Sequence, residues 1–147
     1  MEIERKFTVK ELPDLSSYPY LILEQGYLST EPVVRVRREN DTYYLTYKGK
    51  GMLSREEYNL PLTKSSYEHL LSKADGNIIC KKRYLIPYLS YTIELDIFDS
   101  PFPSLIIAEV EFDSEEKARS FPVPSWFEKE VTYDPQYHNS NLSRMVL

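Results

Sequence analysis

Like-charged residues separated by a single residue recur along this chain, and acidic and basic pairs occupy different segments. Glu2 and Glu4 form one acidic pair, and Glu109 and Glu111 form another. In a β-strand, side chains at positions i and i+2 stand about 6.5–7 Å apart on one face. Two acidic pairs on adjacent or facing strands could therefore converge oxygen ligands on a hard divalent cation such as Mg²⁺ or Mn²⁺.

Basic residues follow the same alternate spacing in the segments that lie mainly between the two acidic pairs. Seven of them fall on the polar side of a predicted strand: Lys6, Arg35, Arg37, Lys48, Arg55, Lys81 and Arg83. A single pair of such charges is typical of a solvated strand face. Together these cations would repel one another, and a bound polyanion and the carboxylates would relieve the repulsion if the sheet closed with its polar face inward.

Apolar residues alternate with these charges and define the other face of the predicted strands. They include Ile3, Phe7, Val36, Tyr58, Leu60, Tyr84, Ile93, Leu95, Val110 and Phe112. If the polar face is the inner one, these side chains point outward, and helices and loops must cover them. The arrangement would then be a barrel turned inside out, with its charged side chains in the bore.

Period-two alternation dominates the chain and predicts strands, whereas helical spacing is rare. The predicted strands are residues 2–9, 20–28, 33–39, 42–48, 54–62, 78–86, 90–98 and 105–112. Short helices are predicted at 64–73, after Thr63 as N-cap, at about 114–120, and in the tail at 139–147. This pattern favours an all-β barrel or sandwich with antiparallel pairing and a few short helices.

Composition narrows the function classes. The chain has 147 residues, a length that predicts one domain over 1–147. It has 18 Lys and Arg against 23 Asp and Glu, and the net charge of −5 argues against nucleic acid as a partner. One cysteine excludes an internal disulfide and a thiolate zinc cluster. The spacing of the four glycines does not fit a phosphate-binding loop. The first residues are acidic, unlike a secretory signal, and the apolar runs are too short to span a membrane, so we predict a cytoplasmic protein without membrane association.

Ten short motifs, in order along nearly the whole chain, resemble those of the CYTH superfamily, also called the triphosphate tunnel metalloenzymes. The first is E-x-E-x-K at residues 2–6. The others are QGYL at 25–28, VRVR at 34–37, LTYK at 45–48, SREEY at 54–58, KKRY at 81–84, ELDIF at 94–98, AEVEF at 108–112, and EVT at 130–132 followed by YHN at 137–139. Departures from the family pattern are Asn59 in place of a second glutamate, Lys82 in place of a small residue, and a loop at 99–105 that lacks the glycines often seen there.

The resemblance implies an all-β-dominated fold: a closed eight-stranded antiparallel β-barrel with a polar interior and short helices outside. It also implies that a triphosphate binds in this tunnel with Mg²⁺ or Mn²⁺. Carried onto this sequence, the implied metal ligands are Glu2, Glu4, Glu109 and Glu111. The implied phosphate contacts are Lys6, Arg35, Arg37, Lys48, Arg55, Lys81 and Arg83. The residues expected to take part in catalysis are Glu2, Glu4, Lys6, Glu57, Asp96 and Glu111.

We therefore expect metal-dependent hydrolysis of a terminal phosphoanhydride of inorganic tripolyphosphate or nucleoside triphosphates. Two histidines, His69 and His138, and one cysteine give no support for a Ser–His or Cys–His nucleophile. Three alternatives stay open: a class IV-type adenylyl cyclase, a thiamine triphosphatase, and a domain that binds polyphosphate without cleaving it. A binder would need the cations more than it would need four carboxylates.

Overall fold

The computed structural model describes residues 1–99 and 101–145, and residues 146 and 147 of the predicted tail helix lie outside this range. Within it the chain forms ten strands, three short α-helices and one 3₁₀ turn at Pro135–Tyr137. The strands are β1 (Glu2–Val9), β2 (Tyr20–Thr30), β3 (Val33–Glu39), β4 (Thr42–Lys48), β5 (Ser54–Arg55), β6 (Glu57–Pro61), β7 (Asp75–Tyr88), β8 (Tyr91–Phe98), β9 (Ile106–Glu111) and β10 (Phe127–Glu130). The helices are α1 (Lys64–Leu71), α2 (Glu115–Arg119) and α3 (Asn139–Leu142).

The strands form one antiparallel sheet in the order β10-β1-β9-β8-β7-β2-β3-β4-β6, with β5 paired to β1. Its register brings the predicted charged strands side by side. Glu4 pairs with Glu111 and Lys6 pairs with Glu109 between β1 and β9. The prediction of a mainly antiparallel β fold with a few short helices is confirmed.

The closed eight-stranded barrel is not confirmed. Along the described ladders, the path of the sheet ends at β6 on one side and β10 on the other, and these two strands do not pair. The nearest approach to closure is β5, which forms a two-residue ladder with β1, in which Glu2 is opposite Arg55 and Ile3 is opposite Ser54. The segment 54–61 thus contacts both sides of the sheet, through β5 and β6, without a continuous ladder across the seam.

The predicted strand 54–62 is interrupted, and one strand was missed. Glu56 separates β5 from β6, so that β5 pairs with β1 while β6 pairs with β4. The missed strand is β10, whose sequence FEKE has too few residues and too many charges to show a clear alternation. It pairs with the outer part of β1, where Phe7 is opposite Glu130.

The polar face of the sheet is buried, as expected for an inward-facing charged surface. Glu2, Glu4 and Lys6 are 8%, 7% and 6% exposed. The apolar face of β1, β8 and β9 is covered by α2 and the segment that follows it, through contacts that include Ala118 and Phe121. Of the apolar residues predicted to point outward, most are buried, Ile3 and Tyr84 are half-buried, and Tyr58 and Leu60 remain exposed.

Helix α1 covers the outward side of β2 to β4. Thr63 caps it by accepting a hydrogen bond from the backbone N–H of Ser66. Tyr67 is buried against the sheet, and its hydroxyl donates to the Glu24 carboxylate at 2.8 Å. Gly26 permits this close packing, because an added Cβ there would lie 2.8 Å from the Cβ of Ala74.

The inward face changes from charged to apolar towards one end of β7, β8 and β9. On these strands Ile79, Phe98 and Ile107 continue the alternate rows that carry the charges, and period-two geometry places them on the same face. They form one buried cluster with Phe102 and with Leu142 of α3. The inner space is therefore filled by apolar side chains at this end. No helix in the described residues has the length and apolar character to cross a bilayer.

Candidate active site

The charged inner face encloses a cavity of about 260 Å³. Six cationic side chains line it: Lys6, Arg35, Arg37, Lys48, Arg55 and Arg83. Seven carboxylates line it as well: Glu2, Glu4, Glu39, Glu57, Glu94, Glu109 and Glu111. The sequence predicted all six cations and five of the carboxylates, and their convergence follows from the ladder register.

Three carboxylates gather at one side of this cavity. Glu2, Glu4 and Glu111 each offer an oxygen, and these three oxygens lie within 4.8 Å of one another. Desolvation, together with the nearby carboxylates of Glu94 and Glu4, raises the pKa of Glu111 to about 8, although part of its side chain is exposed. Burial, together with the charge of Glu109, also raises the pKa of Glu4. A divalent cation would remove this repulsion, so the donor set fits a hard metal ion.

Glu109 was expected to join these ligands, but the structure places its carboxylate among cations. One of its oxygens lies 3.2 Å from Lys6 Nζ and the other 2.6 Å from Arg83 Nη2. Burial favours its neutral form, yet Lys6 and Arg83 hold the pKa of Glu109 well below its ordinary value. Its oxygens are thus engaged as acceptors and are not part of the three-carboxylate cluster.

A second group of charges lies where β4, β5 and β6 approach β1. Lys48 Nζ donates to both carboxylate oxygens of Glu2 at 3.0 Å and lies 3.4 Å from Glu57 Oε2. Arg55 Nε is 3.6 Å from Glu2 Oε1. Glu2 therefore contacts two cations, Lys48 and Arg55, and Lys48 lies between Glu2 and Glu57.

Arg35 and Arg37 have fewer carboxylates around them than Lys6, Lys48 and Arg83. Within the described residues, Arg35 has no carboxylate within 4.0 Å, and its one hydrogen bond goes from Nη2 to Thr46 Oγ1 at 3.1 Å. Its buried Nε has no partner. Arg37 Nε donates to the fully buried Gln25 at 2.7 Å, and its Nη1 lies 3.5 Å from Glu39. Burial, and then the charge of Arg37, lower the pKa of Arg35, as expected where two cations face an unfilled space.

Lys81 and Asp96 do not line the cavity. Their side chains are 0% and 1% exposed and pair with each other at 2.7 Å. Lys81 also donates to Asn139 Oδ1 at 3.2 Å and lies over the Phe98 ring. Lys81 stands one alternate position deeper than Arg83 on β7, beside the apolar cluster. Asp96 is directly opposite Arg83 in the ladder and accepts two hydrogen bonds from it, of 2.7 and 2.9 Å.

Several lining residues were not singled out as functional from the sequence. They are Tyr27, Val33, Glu39, Tyr44, Asn59, Glu94, His138, Asn139 and Ser140. The alternation of strand residues could have identified Tyr44 and Glu94, because each lies on the same face of its strand as a predicted site residue. Strand periodicity does not signal 138–140, which reaches the cavity through a tertiary contact of the tail, although the YHN motif at 137–139 lies in this segment. Desolvation, together with the nearby charge of Lys6, lowers the pKa of His138.

The antiparallel sheet places a carboxylate cluster, which could hold a hard metal ion, in the same cavity as paired arginines, which suit phosphate oxygens. The sequence profile of the CYTH domain matches residues 1–122. The chain belongs to this family, as its motifs indicated.

Two curated relatives cover nearly the whole chain, and both are named inorganic triphosphatase. The protein from Nitrosomonas europaea is 39% identical over 152 aligned positions, covering 99% of this chain and 98% of its own. The protein from Acetivibrio thermocellus is 38% identical and covers 96% and 92%.

Solved structures show the same fold. A crystal structure of an inorganic triphosphatase has a TM-score of 0.74 and 34% identity, covering 99% of this chain and 96% of that one. A putative adenylate cyclase from Bacillus halodurans has a TM-score of 0.62 at 17% identity, over 100% and 93% of the two chains, and this likeness concerns the fold alone.

Proposed function

We propose that this protein hydrolyses a terminal phosphoanhydride of inorganic tripolyphosphate, and of nucleoside triphosphates at the same site, with Mg²⁺ or Mn²⁺ bound at Glu2, Glu4 and Glu111. The observation that carries the proposal is the position of the carboxylate cluster in the same cavity as Arg35 and Arg37, whose charges are largely unneutralised. The names of the two relatives support inorganic triphosphate as the substrate.

The charge of the cavity argues for a metal. Because its carboxylates slightly outnumber its cations, the fully ionised cavity would not attract a triphosphate, which carries several negative charges. A divalent cation at the carboxylate cluster makes the net charge positive. It also supplies charge neutralisation and Lewis-acid polarisation of the phosphate oxygens. Glu109 is proposed as a positioning residue that holds Lys6 and Arg83 next to this site.

The proposed reaction forms one P–O bond from water to the terminal phosphorus and breaks the bridging P–O bond. The electrons of that bond leave with pyrophosphate when the substrate is tripolyphosphate, and with the nucleoside diphosphate when it is a nucleoside triphosphate. Arg35 and Arg37 bind phosphate oxygens, and Lys6, Lys48, Arg55 and Arg83 add positive charge around the chain. Glu57 orients Lys48, and Asp96 orients Arg83 while pairing with Lys81. A carboxylate of Glu2 or Glu111 takes the proton that water releases.

Removal of the metal tests this proposal directly. Protein treated with a chelator should release orthophosphate from tripolyphosphate at less than about a hundredth of the rate seen with Mg²⁺ or Mn²⁺, and adding either ion back should restore it. Phosphate, pyrophosphate and cyclic nucleotide are measured separately with tripolyphosphate, ATP and thiamine triphosphate. Cyclic AMP from ATP would identify a cyclase, and tight binding without any product would identify a binding domain.

Arg37 and Arg38 provide a test of which strand face meets the substrate. Arg37 is buried and lines the cavity, whereas Arg38 is exposed on the opposite face and donates from Nε to Asn40 O at 2.7 Å. Losing a charge-assisted hydrogen bond costs about 1.5–3 kcal/mol, so Arg37→Ala should raise the KM for tripolyphosphate about 10- to 100-fold. Arg38→Ala should change it less than about twofold. Equal effects would show that the other face of β3 binds substrate.

We also propose that residues 1–147 form one domain, although the family profile ends at residue 122. The later residues contribute to the same structure: β10 pairs with β1, and Thr132 Oγ1 accepts a hydrogen bond from the backbone N–H of Lys6 at 2.9 Å. Limited proteolysis should therefore yield no stable fragment that ends near residue 122.

A further inference from the structure

Gln25 of β2 lies on the inner face of the sheet, between the charged cavity and the apolar cluster, and its side chain is fully buried. In the ladders it is opposite Arg37 of β3 on one side and Ile79 of β7 on the other. Arg37 lines the cavity, whereas Ile79 belongs to the apolar cluster. The amide of Gln25 therefore has a guanidinium on one side and apolar neighbours on the other.

This amide makes one hydrogen bond and lacks another. Its carbonyl oxygen accepts from Arg37 Nε at 2.7 Å, and its buried Nε2 has no hydrogen-bond partner among the described residues. Because Arg37 Nε can only donate, the oxygen must be the atom that faces it. Burying an amide with an unpaired N–H group costs folding free energy, which an apolar side chain would avoid. Packing alone therefore does not account for a glutamine here, and the contact with Arg37 is what it adds.

The uncharged partner distinguishes Arg37 from other cations of the cavity, which are held by buried carboxylates. These pairs are Lys6 with Glu109, Lys48 with Glu2, and Arg83 with Asp96. A carboxylate fixes a cation but also offsets its charge, whereas the amide of Gln25 fixes Arg37 and leaves its charge in place. Glu39 lies 3.5 Å from Arg37 Nη1, but its side chain is 26% exposed, so solvent weakens this contact.

Arg35 also has an uncharged partner on a neighbouring strand. Its Nη2 donates to Thr46 Oγ1 at 3.1 Å, and the fully buried Thr46 donates in turn to Asn59 Oδ1 at 2.5 Å. The two arginines with few carboxylates around them are thus both oriented by neutral side chains, from β2 on one side and β4 on the other. This arrangement keeps two guanidinium groups fixed and charged in the same cavity.

We propose that Gln25 is a positioning residue for substrate binding, which holds the Arg37 guanidinium in the orientation that a phosphate group requires without neutralising it. The inference rests on the proposed function, because it takes the polyanion bound in the cavity to be the substrate. Gln25 acts through Arg37 and does not contact the reacting phosphorus. A guanidinium that the fold has already oriented loses less conformational freedom when phosphate binds, so binding is tighter.

The first test replaces Gln25 with methionine, which has a similar volume and no acceptor oxygen. Because Arg37 binds substrate both before and during the reaction, Gln25→Met should raise the KM for tripolyphosphate with Mg²⁺ about tenfold and change kcat less than about threefold. The matched control is Gln136→Met, at an exposed glutamine outside the cavity, which should keep the wild-type KM. In an Arg37→Ala background, Gln25→Met should change the KM less than about twofold, because the group that it positions is gone.

The second test, Gln25→Glu, separates orientation from charge. The carboxylate keeps the acceptor for Arg37 Nε but adds a negative charge, so it should raise the KM about tenfold although the guanidinium stays in place. The midpoint of thermal unfolding, measured for every variant, should not fall in Gln25→Glu, since a charged pair replaces a neutral hydrogen bond. If Gln25→Glu does not fold, the comparison of Gln25→Met with and without Arg37 decides.

The outcomes distinguish the positioning role from the proposed function. If Gln25→Met raises the KM equally with and without Arg37, or if a folded Gln25→Glu keeps the wild-type KM, the positioning role is wrong and the proposed function stands. If the wild-type protein releases no phosphate but binds tripolyphosphate with Mg²⁺ by calorimetry, the proposed function is wrong. The same comparisons are then made on the dissociation constant, and a weakening of about tenfold that depends on Arg37 would support the positioning role. If tripolyphosphate is neither cleaved nor bound, both are wrong.

Discussion

Glu4→Gln should lower the turnover of tripolyphosphate at least about 100-fold without unfolding the protein. Residues that only orient metal ligands change activity or metal affinity by about 10- to 100-fold when replaced, so the loss of a direct ligand should cost more. Glu4 is buried, and its carboxylate lies within 4.8 Å of those of Glu2 and Glu111. The amide fills the same volume and removes one of three close negative charges, so the midpoint of thermal unfolding should stay equal or rise.

The matched control is Glu11→Gln, which makes the same substitution at an exposed position outside the cavity and should keep wild-type turnover. Binding of Mn²⁺ by titration calorimetry gives a readout that does not depend on activity, and Glu4→Gln should weaken it at least about tenfold. Wild-type turnover in Glu4→Gln, or unchanged Mn²⁺ binding, would contradict the assignment of the metal to this cluster.

The fold could be predicted from the sequence where the alternation of charged and apolar residues is long and regular. The bounds of β3 at 33–39 and β4 at 42–48 agree with the prediction, because their two faces differ strongly in polarity. The pattern could not show that the strand at 54–62 changes partner at Glu56, since a break in pairing leaves no mark on periodicity. It also could not reveal whether the two sides of the sheet meet, which depends on register over the whole chain.

The sequence could predict which residues belong to the candidate site more easily than it could predict what each of them does there. Period two places Glu109 and Glu111 on one face, but only tertiary neighbours decide that Glu109 pairs with Lys6 and Arg83 while Glu111 joins the carboxylate cluster. In the same way, Lys81 shares its face with Arg83 yet lies beside Phe98, away from the cavity. Alternation identifies the face of a strand and carries no information on depth along the bore.

The Arg83→Met variant should be the most destabilising single substitution among the charged residues of the cavity, because Arg83 neutralises three carboxylates at once. Its guanidinium contacts Asp96 at 2.7 Å, Glu94 at 3.2 Å and Glu109 at 2.6 Å. Although burial acts against its charge, these neighbours hold the pKa of Arg83 well above its ordinary value. Desolvation already raises the pKa of Glu94 to about 7, against the opposing charge of Arg83.

Removing one partner of a buried ion pair typically costs about 3–5 kcal/mol, since the other charge is left uncompensated. In the variant, Lys81 still faces Asp96 and Lys6 still faces Glu109. We therefore expect the free energy of unfolding to fall by about 3 kcal/mol, at the low end of this range. For a chain of this size, this corresponds to a fall of about 6–12 °C in the unfolding midpoint. Urea denaturation measures the free energy of unfolding. Arg83→Lys keeps the charge but loses the bidentate geometry, and should therefore lose less stability than Arg83→Met.

The control for this loss is Lys117→Met, which breaks the surface pair with Asp113, where the side chains are 55% and 89% exposed. An exposed pair contributes less than about 1 kcal/mol, so its removal should leave the unfolding midpoint nearly unchanged. If Arg83→Met behaves like Lys117→Met, the carboxylates around Arg83 do not depend on it for their charge. The inner face would then be open to water. In that case the contacts of Arg35 and Arg37 with phosphate would not be strengthened by the exclusion of water, and activity could not depend on it.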